Sequence, residues 1–128
     1  MKIISMTFLE NINLSLNQGM NSLFILFMTH FIADFMCQDD RMATNKSKSN
    51  RWLLFHCLVY SFCFVWTMSW EFVLWLFIAH FATDYITSRV ASTLYQKGER
   101  HWFFVTIGFD QLLHQIQILI LWRIFLWE

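Results

Sequence analysis

The chain has no proline, three glycines and few charges. Only 14% of its 128 residues are Asp, Glu, Lys or Arg, against about 25% in soluble domains. Without proline, long helices meet no fixed break. The nine basic and nine acidic residues cancel, so no global field supports binding to nucleic acid. The three cysteines, Cys37, Cys57 and Cys63, show no CxxC spacing and sit in apolar runs. This excludes a disulfide framework and points to reduced thiols in helices. What fills the chain instead is apolar: 57% hydrophobic and 20% aromatic residues, with fifteen Phe and seven Trp. A chain this short has a high ratio of surface to volume, and 18 charged residues cannot cover it. A soluble monomer is therefore excluded as an expectation, and the lipid bilayer becomes the expected partner.

A crossing needs about 20 mostly apolar residues. The sequence offers three such stretches and a fourth, borderline one that polar residues interrupt; the four lie at about 21–38, 52–70, 72–89 and 102–127, the third continuing as a polar extension to Gln96. The expected fold is all-α: a polytopic membrane protein with four transmembrane helices in an up-down bundle. Its domains are residues 1–20, an N-terminal interfacial or frayed segment, and residues 21–128, the bundle. Ile4, Phe8, Leu9 and Ile12 would form the apolar face of the interfacial segment. A tight turn is expected around residues 69–71, and most of the seven tryptophans fall near proposed helix ends. Both longer linkers, 39–51 and 96–101, then lie on one side. Seven of the nine basic residues are on that side, so the positive-inside rule makes it cytoplasmic and both termini external. The expected location is a bacterial inner membrane.

Seven ionisable side chains lie within the spans: His30, Asp34, His56, His80, Asp84, Asp110 and His114. Each Asp near a helix centre costs about 2.5–3.5 kcal/mol on the insertion scale, so three cost roughly 8–10 kcal/mol. Six of the seven form i,i+4 pairs: His30/Asp34, His80/Asp84 and Asp110/His114. Each pair occupies one helix face. The order reverses in the last helix, which runs antiparallel, so Asp stays nearer the cytoplasm in all three. The expected picture is one cavity with the histidines as floor, the carboxylates as rim, and Lys46, Lys48 and Arg89 at the mouth.

Three readings compete. Polar glue between helices gains about 0.6 kcal/mol per contact, well below the cost of three carboxylates. A proton or ion relay uses the same residue types. A metal site fits best: His30, Asp34, His80, Asp84, Asp110 and His114 supply enough ligands for one or two divalent ions, zinc or manganese. Asp34, Asp84, Asp110 and His56 are the candidate catalytic groups. Gln38, Lys46, Lys48, Arg89 and Gln111 are candidates for holding substrate. Cys37 and Cys57 lie near the expected mouth but read as packing residues, and His101 reads as a solvated loop residue.

The phrase HFIADFMCQDDRMATNKSK at 30–48, with His56, HFATDYITSR at 80–89 and DQLLH at 110–114, resembles a family of small bacterial and phage membrane proteins known as domain of unknown function 3307. The resemblance covers about residues 22–118. It carries over His30, Asp34, Gln38, Lys46, Lys48, His56, His80, Asp84, Asp110, Gln111 and His114. Arg89 stands where the pattern expects Lys. The resemblance implies a membrane location and no reaction; the polar layer is similar, by analogy only, to those of integral-membrane metal-dependent hydrolases. The functional expectation is thus a metal-dependent intramembrane hydrolase acting on a lipid or lipid-linked substrate. Its alternatives are a proton or metal-ion transporter or channel subunit, and a small phage-type protein that binds a host membrane complex. Partners then include a homo-oligomer or a host membrane protein, and no nucleic acid.

Overall fold

A computed structural model describes residues 2–125, with side-chain surroundings from residue 13 onward. The described chain is all-α. Helix α1 spans Lys2–Phe31 and runs into a π-helical turn at Ile32–Met36; α2 is Asp40–Asn45, α3 Asn50–Phe62, α4 Trp70–Gln96 and α5 Arg100–Phe125. Two segments, Asn13–Met36 and Arg100–Phe125, are long and apolar enough to cross a membrane.

The helix boundaries differ from the expected ones in informative ways. No break falls at residue 20: α1 is continuous through Asn17, Gln18 and Gly19. The side chains of Ile4, Phe8, Leu9 and Ile12, expected on an interfacial face, lie outside the described residues, as does Trp127. The expected helix at 52–70 is shorter: α3 has 13 residues, about 20 Å, against a hydrocarbon core of about 30 Å. Beyond it the winding tightens. Cys63 and Phe64 donate to Tyr60 and Ser61, three residues back. Five of the seven residues from Tyr60 to Trp66 are aromatic or β-branched, which makes the run a weak α-helix former. The turn expected at 69–71 therefore occupies 63–69, and Trp70 opens α4. There Ser69 Oγ accepts from Phe72 N as an N-cap. Helix α4 is long enough to span, but its last turns carry Ser88, Arg89, Ser92, Thr93 and Gln96.

Two local devices position the site. The α4–α5 turn closes as a Schellman motif, with Gly98 at φ 74°, Gly98 N donating to Tyr95 O and Glu99 N to Leu94 O. This lays α5 antiparallel on α4. The linker after the π turn holds α2, which the sequence reading passed over. Asp39 caps it by accepting from Met42 N at 2.7 Å, and buried Met42 anchors it.

Leu26, Ala33, Tyr60, Phe64, Phe72, Leu76 and Ile118 form the apolar core. Outward faces are apolar as well: Phe55, Leu58 and Phe62 on α3, Trp75 and Ile78 on α4, and Phe109, Leu112, Ile116 and Ile120 on α5 are exposed. Surface this continuously apolar marks contact with lipid or protein.

Candidate metal centre

The site is assembled from four segments. Asp34 comes from the π turn, where Cys37 N reaches back five residues to Ile32 O. Such turns frequently mark functional positions. This one turns Ala33 and Asp34 inward while Phe35 and Met36 stay exposed. His56 and Tyr60 come from one face of α3, His80 and Asp84 from α4, and Asp110 and His114 from α5. His30, Asp34, His56, His80, Asp84 and His114 are all buried, and Asp110 keeps 14% of its side chain exposed.

At the centre the Nε2 atoms of His56 and His80 face each other at 3.1 Å. Asp34 Oδ1 lies 3.2 Å from His56 Nε2 and 3.9 Å from His80 Nε2. Asp84 Oδ2 lies 3.2 Å and 3.8 Å from the same two atoms. One ring nitrogen cannot satisfy so many neighbours. Asp34 Oδ1 is left without a hydrogen bond, as are His56 Nδ1 and His80 Nδ1. A metal with ligands at about 2.0–2.2 Å in a tetrahedron separates them by about 3.3–3.6 Å, and the observed distances bracket that edge. Asp34/His56/His80, His80/Asp84/His114 and Asp34/Asp110/His114 each bring three donor atoms within 4.8 Å of one another.

Around this centre the remaining donors are already hydrogen-bonded. His114 Nε2 lies 3.1 Å from Asp84 Oδ1 and 3.4 Å from Asp110 Oδ1. Thr87 Oγ1 donates to Asp110 Oδ1. Gln111 Nε2 donates to Asp34 Oδ2 at 2.7 Å and Asp110 Oδ2 at 3.2 Å. Its Oε1 accepts from His30 Nε2 at 2.9 Å, which leaves His30 Nδ1 to accept from the Tyr60 hydroxyl at 3.0 Å. Metal-ligating histidines are commonly oriented by a hydrogen bond through the second nitrogen. Here stacking does it: the His80 ring lies between Tyr60 at 3.7 Å and His114 at 4.1 Å.

Lys46, at the end of α2, donates to Asp84 Oδ2 at 2.9 Å, and its Nζ is 3.5 Å from His56 Nε2. Burial alone would lower its pKa, but Asp84 and Asp34 more than offset that and hold the ammonium above the usual lysine value. Three carboxylates and one ammonium leave a formal charge of −2 with neutral imidazoles, which one divalent ion cancels.

A cavity of about 590 Å³ opens over Asp34, Asp84 and Asp110, with Gln38, Lys46, Lys48 and Gln111 also on its walls. The candidate residues thus divide. His56, assigned to catalysis from the sequence, stands among the donors. His30, assigned as a ligand, is instead bonded to Tyr60 and Gln111. Arg89, assigned to the mouth, lies away from the cavity walls: it donates to Asn50 Oδ1 at 2.6 Å and to Tyr85 O at 2.7 Å. Among the described residues no cysteine joins a donor group. Sequence reading missed Tyr60, Thr87 and Gln117. Tyr60 follows His56 by four residues, the spacing that marked the other pairs. Gln117 bonds Thr83 Oγ1 and Ala79 O, locking α5 to α4 one turn beyond His114.

The fold and site together define an all-α protein, with two helices fit to cross a membrane, built around a buried His/Asp cluster of metal-binding geometry. A family model described as a protein of unknown function, DUF3307, matches residues 22–128, and the chain belongs to that family. Neither curated proteins nor solved structures match it.

Proposed function

We propose that this chain is a multi-pass protein of a bacterial inner membrane carrying a divalent-metal centre, and that it hydrolyses a lipid or lipid-linked substrate. The observation that carries the metal is the His56–His80 Nε2 pair, flanked by Asp34 Oδ1, which no hydrogen bond reaches, and by Asp84 Oδ2. The exposed apolar faces of α3 and α4 support burial of the bundle in lipid, with α3 and the tightened turns after it completing a crossing alongside α4. Zinc or manganese suits a nitrogen and carboxylate set. A bound ion would acidify a water and polarise a phosphoryl or acyl oxygen. Asp110 lines the cavity outside the His56–His80 edge and is the base for that water. The water oxygen bonds to phosphorus or carbon, the ester bond to the leaving oxygen breaks, and the proton passes from Asp110 to that oxygen.

Elemental analysis of detergent-purified protein tests the centre. About one zinc or manganese per chain is expected, from the charge balance. Metal below about a tenth of an equivalent, after purification without chelator and zinc or manganese supplementation, refutes it. The unbroken chain Tyr60–His30–Gln111–Asp34 favours one other reading, a proton or metal-ion carrier. Flux through the purified protein in liposomes, without ester hydrolysis, selects it.

Orientation is tested separately. With the native cysteines replaced, single cysteines at Ser47 and Gln96 are expected to resist an impermeant external thiol reagent in intact cells and to react after lysis. Labelling of either in intact cells reverses the topology.

A further inference from the structure

We propose that the Lys46 ammonium is a displaceable internal cation: it holds Asp84 until a divalent ion takes that oxygen, then turns to the anionic head of an amphiphile in the cavity, so that the anion binds only after the metal. The proposal rests on the metal-centre reading and adds to it the substrate class and the order of binding.

The geometry makes the two cations rivals. Lys46 Nζ sits 2.9 Å from Asp84 Oδ2 and 3.5 Å from His56 Nε2, the atoms that flank the proposed metal position. A divalent ion bonded to both would stand within a few ångströms of the ammonium in a poorly screened interior, where like charges repel strongly. Lys46 can yield. It is carried on a linker, its stem has four rotatable carbons, and 15% of its side chain is already exposed. The space it yields into is the cavity, whose walls include both Lys46 and Lys48. Lys48 is exposed on the same wall, so two ammonium groups two residues apart can meet one anion there.

The cavity also says what the anion is attached to. Its apolar walls are Phe35 of the π turn, Ala91 and Tyr95 of α4, and Phe103 and Ile107 of α5, which suit a hydrocarbon chain. Its floor is carboxylate. Without the metal that floor repels an anionic head; with the metal its three carboxylates are offset to a formal −1, and Lys46 is released to meet the head. Asp34, nine-tenths buried and with an oxygen lacking any hydrogen bond, faces this space from the floor.

The test compares wild type, Lys46→Gln and Lys46→Arg in detergent, by calorimetric titration. Zinc is expected to bind Lys46→Gln at least about tenfold more tightly than wild type, because the rival charge is gone. Lys46→Arg should stay within about threefold of wild type, because the charge is kept. Dihexanoyl phosphatidic acid should bind zinc-loaded wild type, and bind at least about tenfold more weakly both without zinc and in zinc-loaded Lys46→Gln. Equal or weaker zinc binding in a Lys46→Gln protein with wild-type helical content overturns the displacement. Equal lipid binding with and without zinc overturns the order. Inorganic phosphate binding as tightly as the short-chain lipid overturns the amphiphile. Absence of zinc from wild type overturns the metal centre itself, whereas zinc uptake with no difference between the variants overturns only the role of Lys46.

Discussion

Asp84→Asn will lose the metal and will reverse its own effect on stability according to whether metal is supplied. Asp84 is the most contested carboxylate: Oδ2 faces Lys46 and His56, and Oδ1 faces His114 at 3.1 Å. Asn keeps the volume and a hydrogen-bonding oxygen, but it removes the charge and a strong ligand. In EDTA the change relieves repulsion among three carboxylates that Lys46, His56 and His114 offset only in part, and a neutral amide is cheaper to bury than an anion. The variant should then melt at or above wild type. With zinc at about a thousand times its dissociation constant, wild type gains about 4 kcal/mol, or roughly 10 °C or more for a chain of this size. The variant should gain almost none of this and lose hydrolysis. Melting curves in detergent with EDTA and with zinc check the prediction. If the carboxylates only hold helices together, the variant melts at or above wild type in both and zinc moves neither, which would sink the metal centre.

The same geometry separates carboxylates that the sequence treats as equals. All three sit in i,i+4 pairs with histidine, and spacing alone assigns them one layer and one response. Asp110, however, is bonded to Thr87 and Gln111 and is partly exposed. Its Asn variant should keep most of its zinc-dependent melting shift while losing hydrolysis.

Much of the site was legible because helical spacing is a strong constraint. Pairs four residues apart must share a face, and an antiparallel hairpin must reverse their order. Those two facts bring Asp84 and His114 together without any structure. His56 had no charged partner at i,i+4, so spacing offered it only a supporting place; it becomes central because α3 packs against the π turn that directs Asp34 inward. A π turn adds a residue to the winding and so breaks the periodicity on which the sequence reading depends. His30 fails as a donor for a related reason: Gln111 and Tyr60, neither of them ionised, take both of its nitrogens. Arg89 carries the charge expected at a mouth, yet its guanidinium lies over the Tyr85 ring at 3.9 Å and bonds Asn50. That the chain is all-α followed from composition. The length of α3 did not, because hydropathy registers apolar residues without distinguishing α-helical winding from the tighter turns of residues 63–69.

His80→Phe tests the centre from the nitrogen side, and its effects should also have opposite signs. His80 is fully buried, stacked on Tyr60 at 3.7 Å and on His114 at 4.1 Å. Phenylalanine keeps an aromatic ring in that stack, with one more ring atom. It removes Nε2, the atom 3.1 Å from His56 Nε2, and also Nδ1, which has no partner. Leaving a buried polar atom unsatisfied costs about 1–3 kcal/mol. Removing Nδ1 should therefore stabilise the metal-free protein by about 1 kcal/mol, after some loss to the larger ring. Zinc affinity should fall by more than the about 10–100-fold that follows loss of an outer partner, because a direct ligand is gone. His80→Ala is the control: it empties the stack, so it should destabilise the metal-free protein by about 2 kcal/mol or more. The decisive comparison is the metal-free melting temperature of Phe against Ala beside the zinc affinity of both. A Phe variant that binds zinc like wild type would show that His80 serves the core through its ring alone, and the two carboxylates would then have only His56 between them.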